Sequence, residues 1–119
     1  MTFATILSLL LTSFLLAGPD IHWLTPTEHD FGDIIQGTPV ECTFEFRNDG
    51  EEALTIDNIR PSCGCTTPDW PREAILPDSA GTIKVVFNAK MPGGFRKLIK
   101  VYFTGQRKAE KLYVSGFVE

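Results

Sequence analysis

The sequence predicts an all-β protein, an immunoglobulin-like antiparallel β-sandwich of about seven strands, preceded by an N-terminal hydrophobic export segment. Short segments alternate apolar and polar residues, which places successive side chains on opposite faces of a strand. Nine Gly and eight Pro residues interrupt residues 19–119, and no stretch keeps helical spacing of apolar residues over three turns. Strands without intervening helices favour an antiparallel sandwich over a parallel α/β fold.

The first 18 residues carry no charged side chain, and residues 3–17 form one apolar run. The run is shorter than the ~20 residues that span a bilayer comfortably, and its N-terminal position is typical of a signal peptide. No Lys or Arg precedes the run. Cleavage after Ala17 would place the bulky Leu15 at the third position before the cleaved bond, where a small residue is usual. We expect residues 1–18 to be a signal peptide or a short membrane anchor. Either assignment predicts a periplasmic or extracellular domain that contacts a membrane only through an uncleaved N-terminal segment.

Residues 19–27 are expected to form an extended lead, and residues 28–119 the sandwich domain. In the clearest strand, residues 40–47, apolar Cys42, Phe44 and Phe46 alternate with polar neighbours. Asn48-Asp49-Gly50 follows, and these residue types tolerate the positive φ of a turn. The predicted strands are residues 29–32, 40–47, 54–59, 73–76, 82–87, 98–103 and 112–118.

Five segments, residues 29–34, 44–50, 62–68, 75–77 and 81–87, carry motifs that follow one another along the chain. Their combination resembles the bacterial family known as domain of unknown function 1573. The resemblance extends over roughly residues 28–118 and includes the Cys-Gly-Cys-Thr motif. It implies a secreted or envelope-located immunoglobulin-like domain, common in Bacteroidota, with no established reaction. Cys42 is not part of the family pattern.

The chain has three cysteines, so at least one remains outside an intrachain disulfide and stays a free thiol unless it links two chains. Cys42 takes an inward strand position, where free cysteine commonly packs as a small hydrophobe. Cys63 and Cys65 flank Gly64 in a polar loop, and residues two apart can reach disulfide distance. The pair has three interpretations: a structural staple, a thiol-redox site, or a soft-metal site for Cu or Zn. No third metal ligand and no adjacent Lys or His is evident from spacing.

The charge is divided along the chain. Residues 20–83 carry 3 basic and 13 acidic side chains, whereas residues 84–111 carry 8 basic and 1 acidic. Lys84, Lys100 and Lys111 are predicted to point outward. There they form a basic surface for anionic envelope glycans, lipid head groups or an acidic partner, or they protect strand edges from pairing. Trp70, beside two prolines, is predicted either to join a protein or glycan surface or to cover the open end or outer face of the sandwich. No aromatic and basic platform of the kind that binds nucleic acid is present.

The motifs of common enzyme classes are absent from the sequence, including the nucleophile elbow, the zinc-protease helix motif, the phosphate-binding loop and the EF-hand. The sequence therefore predicts no catalytic residues, no cofactor and no metal. The leading hypothesis is an exported, non-enzymatic module of the cell envelope that binds a protein or glycan partner through loops or a free strand edge. The alternative is a thiol-redox or soft-metal site at Cys63 and Cys65.

Overall fold

The computed structural model describes residues 19–119, so the predicted export segment lies outside the described residues. Eight strands make up this part of the chain. Their bounds are β1 (Ile21–Trp23), β2 (Glu28–Ile34), β3 (Val40–Asn48), β4 (Ile56–Pro61), β5 (Thr66–Asp69), β6 (Ala80–Phe87), β7 (Gly93–Phe103) and β8 (Glu110–Val118). Residues 19–119 contain no helix with the length and hydrophobicity of a membrane span.

Two four-stranded sheets form the layers of the sandwich. Sheet A has the strand order β1-β3-β6-β5 and sheet B the order β2-β8-β7-β4. Within residues 19–119 the chain changes sheet five times: between β1 and β2, β2 and β3, β3 and β4, β4 and β5, and β6 and β7. The crossings from β1 to β2 and from β4 to β5 each join outer strands on one lateral side of the sandwich. The predicted all-β, immunoglobulin-like sandwich is confirmed.

The core consists of the inward residues of the alternating strands. Phe46 is fully buried at the end of β3, and its ring packs edge to face against Trp23 and Phe103, with ring centroids 5.6 and 5.1 Å away. Phe46 lies opposite Gly81 of β6. A Cβ atom at Gly81 would lie 2.6 Å from the Phe46 ring, so the small residue is required for the two strands to pair around this side chain.

The structure differs from the predicted strands in four places. The lead 19–27 contains β1, which pairs with β3, and β5 forms from the polar segment Thr66–Asp69. Residues 73–76 contribute only an isolated bridge between Ile75 and Leu54. Strand β2 pairs with β8 in parallel, so sheet B is mixed. β1 is three residues and β5 four, too short for an alternating pattern to distinguish them from loops, and pairing with longer neighbours decides their conformation.

Asn48 is a buried polar residue whose side chain ties together the loops at one end of the sandwich. Its Nδ2 donates to the backbone carbonyls of Glu52 and Ile75, at 2.8 and 2.9 Å. Its Oδ1 accepts a hydrogen bond from the Gly50 amide at 3.0 Å. Every polar atom of the side chain is thus paired, which is the condition under which a buried amide stabilises a fold.

Replacing Asn48 with Ala is expected to lower the free energy of unfolding by about 2–4 kcal/mol, because it leaves two buried carbonyls and one amide without partners. Chemical denaturation measured by circular dichroism tests this. Asn58→Ala is the control, since the Asn58 Oδ1 accepts only the next amide, that of Ile59. A loss for Asn48→Ala no larger than for the control would contradict the role given to Asn48.

The buried thiol of Cys42 predicts a pH dependence of stability. Burial raises its pKa from the usual 9.0 to about 11, so the unfolded chain releases this proton at a lower pH than the folded one. The stabilisation is complete below pH 9 and is lost as pH rises to about 11, amounting to roughly 2–3 kcal/mol at about 1.4 kcal/mol per pKa unit. Chemical denaturation of Cys42→Ala and of the unchanged protein between pH 8 and about 11 measures this loss. The two proteins share every other ionisable group, so a difference that changes with pH comes from Cys42. The prediction fails if the difference in their free energies of unfolding stays constant across this range.

Candidate functional site

The disulfide between Cys63 and Cys65 lies where the chain crosses from sheet B to sheet A. The two Cα atoms are 5.3 Å apart. Before the crossing, the Ser62 amide donates to the Leu98 carbonyl of β7; after it, the Asn88 amide donates to the Cys65 carbonyl. We call residues 62–65 the cysteine corner. It is held to sheet B at one end and to the chain just past β6 at the other.

The surroundings of the cysteine corner give it few chemical partners. Both cysteines are half-buried, the Cys65 amide donates to the Cys63 Sγ at 3.1 Å, and Cys65 packs against a small cluster that includes Phe87 and Val118. His29 lies on β2, at the opposite outer edge of sheet B, where it packs against Phe31. Among residues 19–119, no group of three or more His, Cys, Asp or Glu side chains is placed to hold a metal ion.

Cys42 is the remaining thiol. It lies on β3 opposite Val85, buried in the main core. Cys65 contacts the separate, smaller cluster at one end of the sandwich. A free thiol in the core and a disulfide in the corner account for the odd cysteine number without a link between chains.

The three lysines predicted to form one basic surface lie on different sheets. Lys84 is on β6 of sheet A, where its Nζ is 3.1 Å from a carboxylate oxygen of Glu41. Lys100 and Lys111 are on sheet B, directly opposite each other on β7 and β8. The prediction of a single surface is wrong for Lys84, because the chain changes from sheet A to sheet B between β6 and β7.

Arg60 completes a line of cations on the outer face of sheet B. It lies opposite Lys100 in the pairing of β4 with β7, and Lys100 lies opposite Lys111 in the pairing of β7 with β8. We call these three residues the cationic row. Arg60 and Lys111 are exposed and Lys100 is half-buried. The sequence does not reveal Arg60 as a member, because only the strand register brings it beside Lys100.

The cationic row has no acidic partner within ion-pair distance in the described part of the chain. Like charges directly opposite each other on adjacent strands repel and destabilise a sheet. On the same face, Arg96 has a carboxylate partner in Glu28, at 2.9 Å. The contrast shows that the surface supplies a carboxylate to one cation and leaves three neighbouring ones without.

Tyrosines border the cationic row on both sides. Tyr102 lies two residues along β7, with the Arg60 guanidinium 5.8 Å from its ring centroid. Tyr113 lies two residues along β8, opposite Leu98, with Arg96 3.8 Å from its ring centroid. Tyr102, Tyr113 and Leu98 are half-buried. The rings and hydroxyls of the two tyrosines lie beside the cations, a combination that is common in binding surfaces.

Trp70 is not part of this face. It follows β5 of sheet A, packs against the main core and carries the Arg72 guanidinium 4.0 Å from its ring centroid. Its buried Nε1 has no hydrogen-bond partner among the described residues. Trp70 therefore packs, half-buried, against the main core.

A shallow concavity of about 620 Å³ lies at the end of the sandwich away from the cysteine corner, between Pro19, the loop 48–55 and the β7–β8 turn. Asp20, Asp49, Glu51 and Glu52 line it. These carboxylates are not arranged as a metal site. The concavity is therefore lined by acidic side chains that do not point to one common ligand position.

Comparison with known structures identifies the same architecture in proteins of very different origin. A protein of unknown function from Porphyromonas gingivalis W83 matches with a TM-score of 0.72 and 16% identity, over 85% of this chain and 47% of that one. The seventh PapD-like domain of human CEP192 matches with a TM-score of 0.68 and 10% identity, over 87% and 86%. The major-sperm-protein-like SSP-19 of Caenorhabditis elegans gives 0.56 and 13%, over 78% and 94%. At these identities the likeness concerns the fold.

The chain spans about half the length of the Porphyromonas gingivalis protein that it matches. No curated protein matches it significantly. The family model for the protein of unknown function DUF1573 matches residues 23–118, which is nearly the whole described domain. The chain belongs to the DUF1573 family.

Proposed function

We propose that this chain is an exported, non-enzymatic interaction module of the cell envelope that binds an acidic partner through the outer face of sheet B. The observation that carries the proposal is the cationic row, three adjacent basic side chains without an acidic partner in the described domain. A sheet that keeps like charges opposite one another gives up stability. An external anion that binds there relieves the repulsion.

A face is favoured over a strand edge because each outer strand has features that hinder pairing with another chain. β1 has three residues, and β5 contains Pro68, which lacks an amide hydrogen. β2 is interrupted between Asp30 and Asp33, and β4 between Ile56 and Asn58. Short strands, prolines and bulges are the usual protection against edge pairing. Binding through side chains on the outer face of sheet B needs no free edge.

Export is supported by the apolar N-terminal segment and by the disulfide at the cysteine corner. Disulfides persist in oxidising compartments and are rare in the cytosol of mesophiles. An envelope location supplies partners that suit a basic surface, since envelope polymers and lipids are commonly anionic.

Replacing Arg60, Lys100 and Lys111 together with Gln is expected to weaken binding of the full chain to envelope preparations from the encoding organism by about ten- to a hundredfold, as three exposed charge pairs would. Binding of the unchanged protein is expected to fall as salt is added, because salt screens exposed charges. Co-sedimentation over a range of salt concentrations measures both effects.

The matched control removes three positive charges elsewhere, at Arg72, Lys84 and Lys90. It is expected to bind like the unchanged protein. Thermal unfolding of both variants excludes loss of fold, and the row variant is expected to be at least as stable as the parent, because repulsion is removed. Equal loss of binding in the two variants would contradict the proposal, since net charge alone would then explain it.

A second candidate function is thiol exchange at the cysteine corner, favoured by a disulfide whose sulfur-bearing residues are half-exposed. In this reaction a substrate dithiol transfers two electrons and two protons to the disulfide. It leaves as a disulfide itself, and Cys63 and Cys65 become thiols. Since the described residues bring no third ligand to the corner, its geometry favours this over metal binding.

Thiol titration tests this candidate. The native protein is expected to show no reactive thiol at pH 8, because the Cys42 thiol is buried and its pKa is about 11. Treatment with a reduced dithiol peptide should release two thiols and oxidise an equal amount of peptide. Cys63→Ser/Cys65→Ser should abolish peptide oxidation, whereas Cys42→Ala should not change it. If Cys63 and Cys65 stay oxidised in excess dithiol, thiol exchange at the cysteine corner is contradicted.

A further inference from the structure

The part of β7 that lies beyond the end of β4 has an uncovered edge. We infer that this edge, residues 93–97, binds an extended polypeptide segment with two reduced cysteines, and that Cys63 is the sulfur with which the segment exchanges. The inference rests on the second candidate function, thiol exchange at the cysteine corner, and specifies its substrate class. It is carried by the strand register, by the place where the chain leaves sheet B and by the unequal surroundings of the two cysteines.

Strand β4 covers only part of β7. The pairing of the two strands ends at Pro61, opposite Ile99. Beyond it, the Ser62 amide donates to the Leu98 carbonyl at 2.8 Å, and the Ser62 Oγ accepts from the Leu98 amide at 3.2 Å. The chain then leaves sheet B through the cysteine corner. Strand β7 continues to Gly93 and, among the described strands, pairs over that stretch with β8 alone.

The uncovered edge presents main-chain groups. In a strand, the main-chain groups of alternate residues point to the same side. Leu98 bonds toward the β4 side, so the main-chain groups of Arg96 and Gly94 point the same way, where the described part of the chain places no strand. Both residues are exposed, and at Gly94 the exposed atoms belong to the main chain because glycine has no side chain. The Arg96 side chain extends the other way, over the Tyr113 ring of β8 and to Glu28 of β2.

The disulfide lies at the end of this edge. A segment added beside Arg96 and Gly94 continues the line of β4, so the end of the segment nearest Leu98 meets Cys63, the residue after Ser62. Pairing with main-chain groups requires an extended segment and makes few demands on its sequence, as an unfolded polypeptide with reduced cysteines would provide. A second folded copy of this chain is an unsuitable donor, because its outer strands are short or irregular.

The two cysteines have different surroundings. Cys65 packs against the small apolar cluster that includes Phe87 and Val118. Cys63 belongs to neither core cluster, and its Sγ accepts a hydrogen bond from the Cys65 amide at 3.1 Å. An amide donor stabilises a thiolate at the sulfur that accepts from it, whereas apolar surroundings disfavour a thiolate. Cys63 is therefore the sulfur better suited to attack by the substrate and to leaving as a thiolate when the exchange is completed.

The exchange takes two steps. A thiolate of the bound segment attacks the Cys63 Sγ, the bond between the two corner sulfurs breaks, and its electron pair leaves on the Cys65 sulfur, which takes up a proton. The second thiolate of the segment then attacks the segment's sulfur in the mixed disulfide, and Cys63 leaves as a thiolate and is protonated. The segment has given up two electrons and two protons and carries a disulfide, and the corner carries two thiols.

The experiment measures how fast three dithiols reduce the disulfide of the oxidised full chain, by mass spectrometry of alkylated samples. The probes are an extended peptide with two cysteines, the same peptide with N-methylated backbone amides, and dithiothreitol. Methylated amides cannot donate to a strand edge, and dithiothreitol has no backbone. We expect the unmodified peptide to react about three- to tenfold faster than the methylated one, which corresponds to roughly one net hydrogen bond.

A proline at the edge makes the result specific. Arg96→Pro removes an amide that points away from β8, and Arg96→Ala is the matched control, because both variants lose the side chain and only proline lacks the amide. We expect Arg96→Pro to react about three- to tenfold more slowly with the unmodified peptide than Arg96→Ala, and equally with dithiothreitol. Gly94→Pro and Gly94→Ala form a second pair, since a Cβ at Gly94 would lie 3.7 Å from the Phe117 ring, an ordinary contact. Thermal unfolding checks the fold of each variant.

Single-cysteine variants test the assignment of Cys63. Cys65→Ser and Cys63→Ser are each treated with the peptide carrying one cysteine activated as a thiopyridyl disulfide. We expect Cys63 in the first variant to form the mixed disulfide faster than Cys65 in the second, because the amide of residue 65 remains in place to stabilise its thiolate. Faster reaction at Cys65 would overturn the assignment.

The failure of this inference and the failure of thiol exchange are distinguishable. If the methylated peptide reacts as fast as the unmodified one, or if the proline variants react like their alanine controls, thiol exchange stands and the docking edge is wrong. If none of the three dithiols reduces the disulfide, thiol exchange at the cysteine corner is itself wrong, and the inference fails with it.

Discussion

The structure depends on one constraint, that the chain changes sheet at each lateral side of the sandwich. On one side residues 24–27 carry it from β1 to β2; on the other the cysteine corner carries it from β4 to β5. Backbone bonds hold both ends of each crossing: the Leu24 amide donates to Glu45 of β3, and the Tyr113 amide of β8 donates to Thr27. The crossings join the layers covalently at the places where a sandwich would otherwise be open.

The outer strands have features that hinder pairing with another chain. β1 and β5 are short, and β2 and β4 each contain a register irregularity. The outer face of sheet B, by contrast, spans four strands without interruption from the chain. It is also where Arg60, Lys100 and Lys111 lie opposite one another on adjacent strands, an arrangement of like charges that costs stability. This cost is the basis of the binding face proposed above.

The sequence is sufficient to predict the longer strands and the residues of the core. Alternation marks β3, β6, β7 and β8 because each is at least eight residues long and one side faces the interior. It cannot mark β1 or β5, whose conformation comes from a neighbouring strand. The same limit applies to the candidate site. Lys84 and Lys100 look equivalent by parity, yet they lie on different sheets, and Arg60 joins the row only through register. The alternation along a strand determines whether a side chain faces the core or the solvent. The sheet to which the strand belongs, and the residues beside it on neighbouring strands, are determined by the topology.

The two candidate functions are physically connected by strand β4. Arg60 lies three residues before Cys63, and between them the Ser62 amide donates to Leu98 while the Ser62 Oγ accepts from the Leu98 amide. The disulfide limits the freedom of the chain directly after this anchor, and so stabilises the end of the strand that sets Arg60 opposite Lys100. Its loop is so short that the entropy it removes from the unfolded chain is small. Its larger effect is therefore local, on the geometry of the crossing. An intact disulfide is compatible with a purely structural role in which the cysteine corner holds the outermost cation of the row in place.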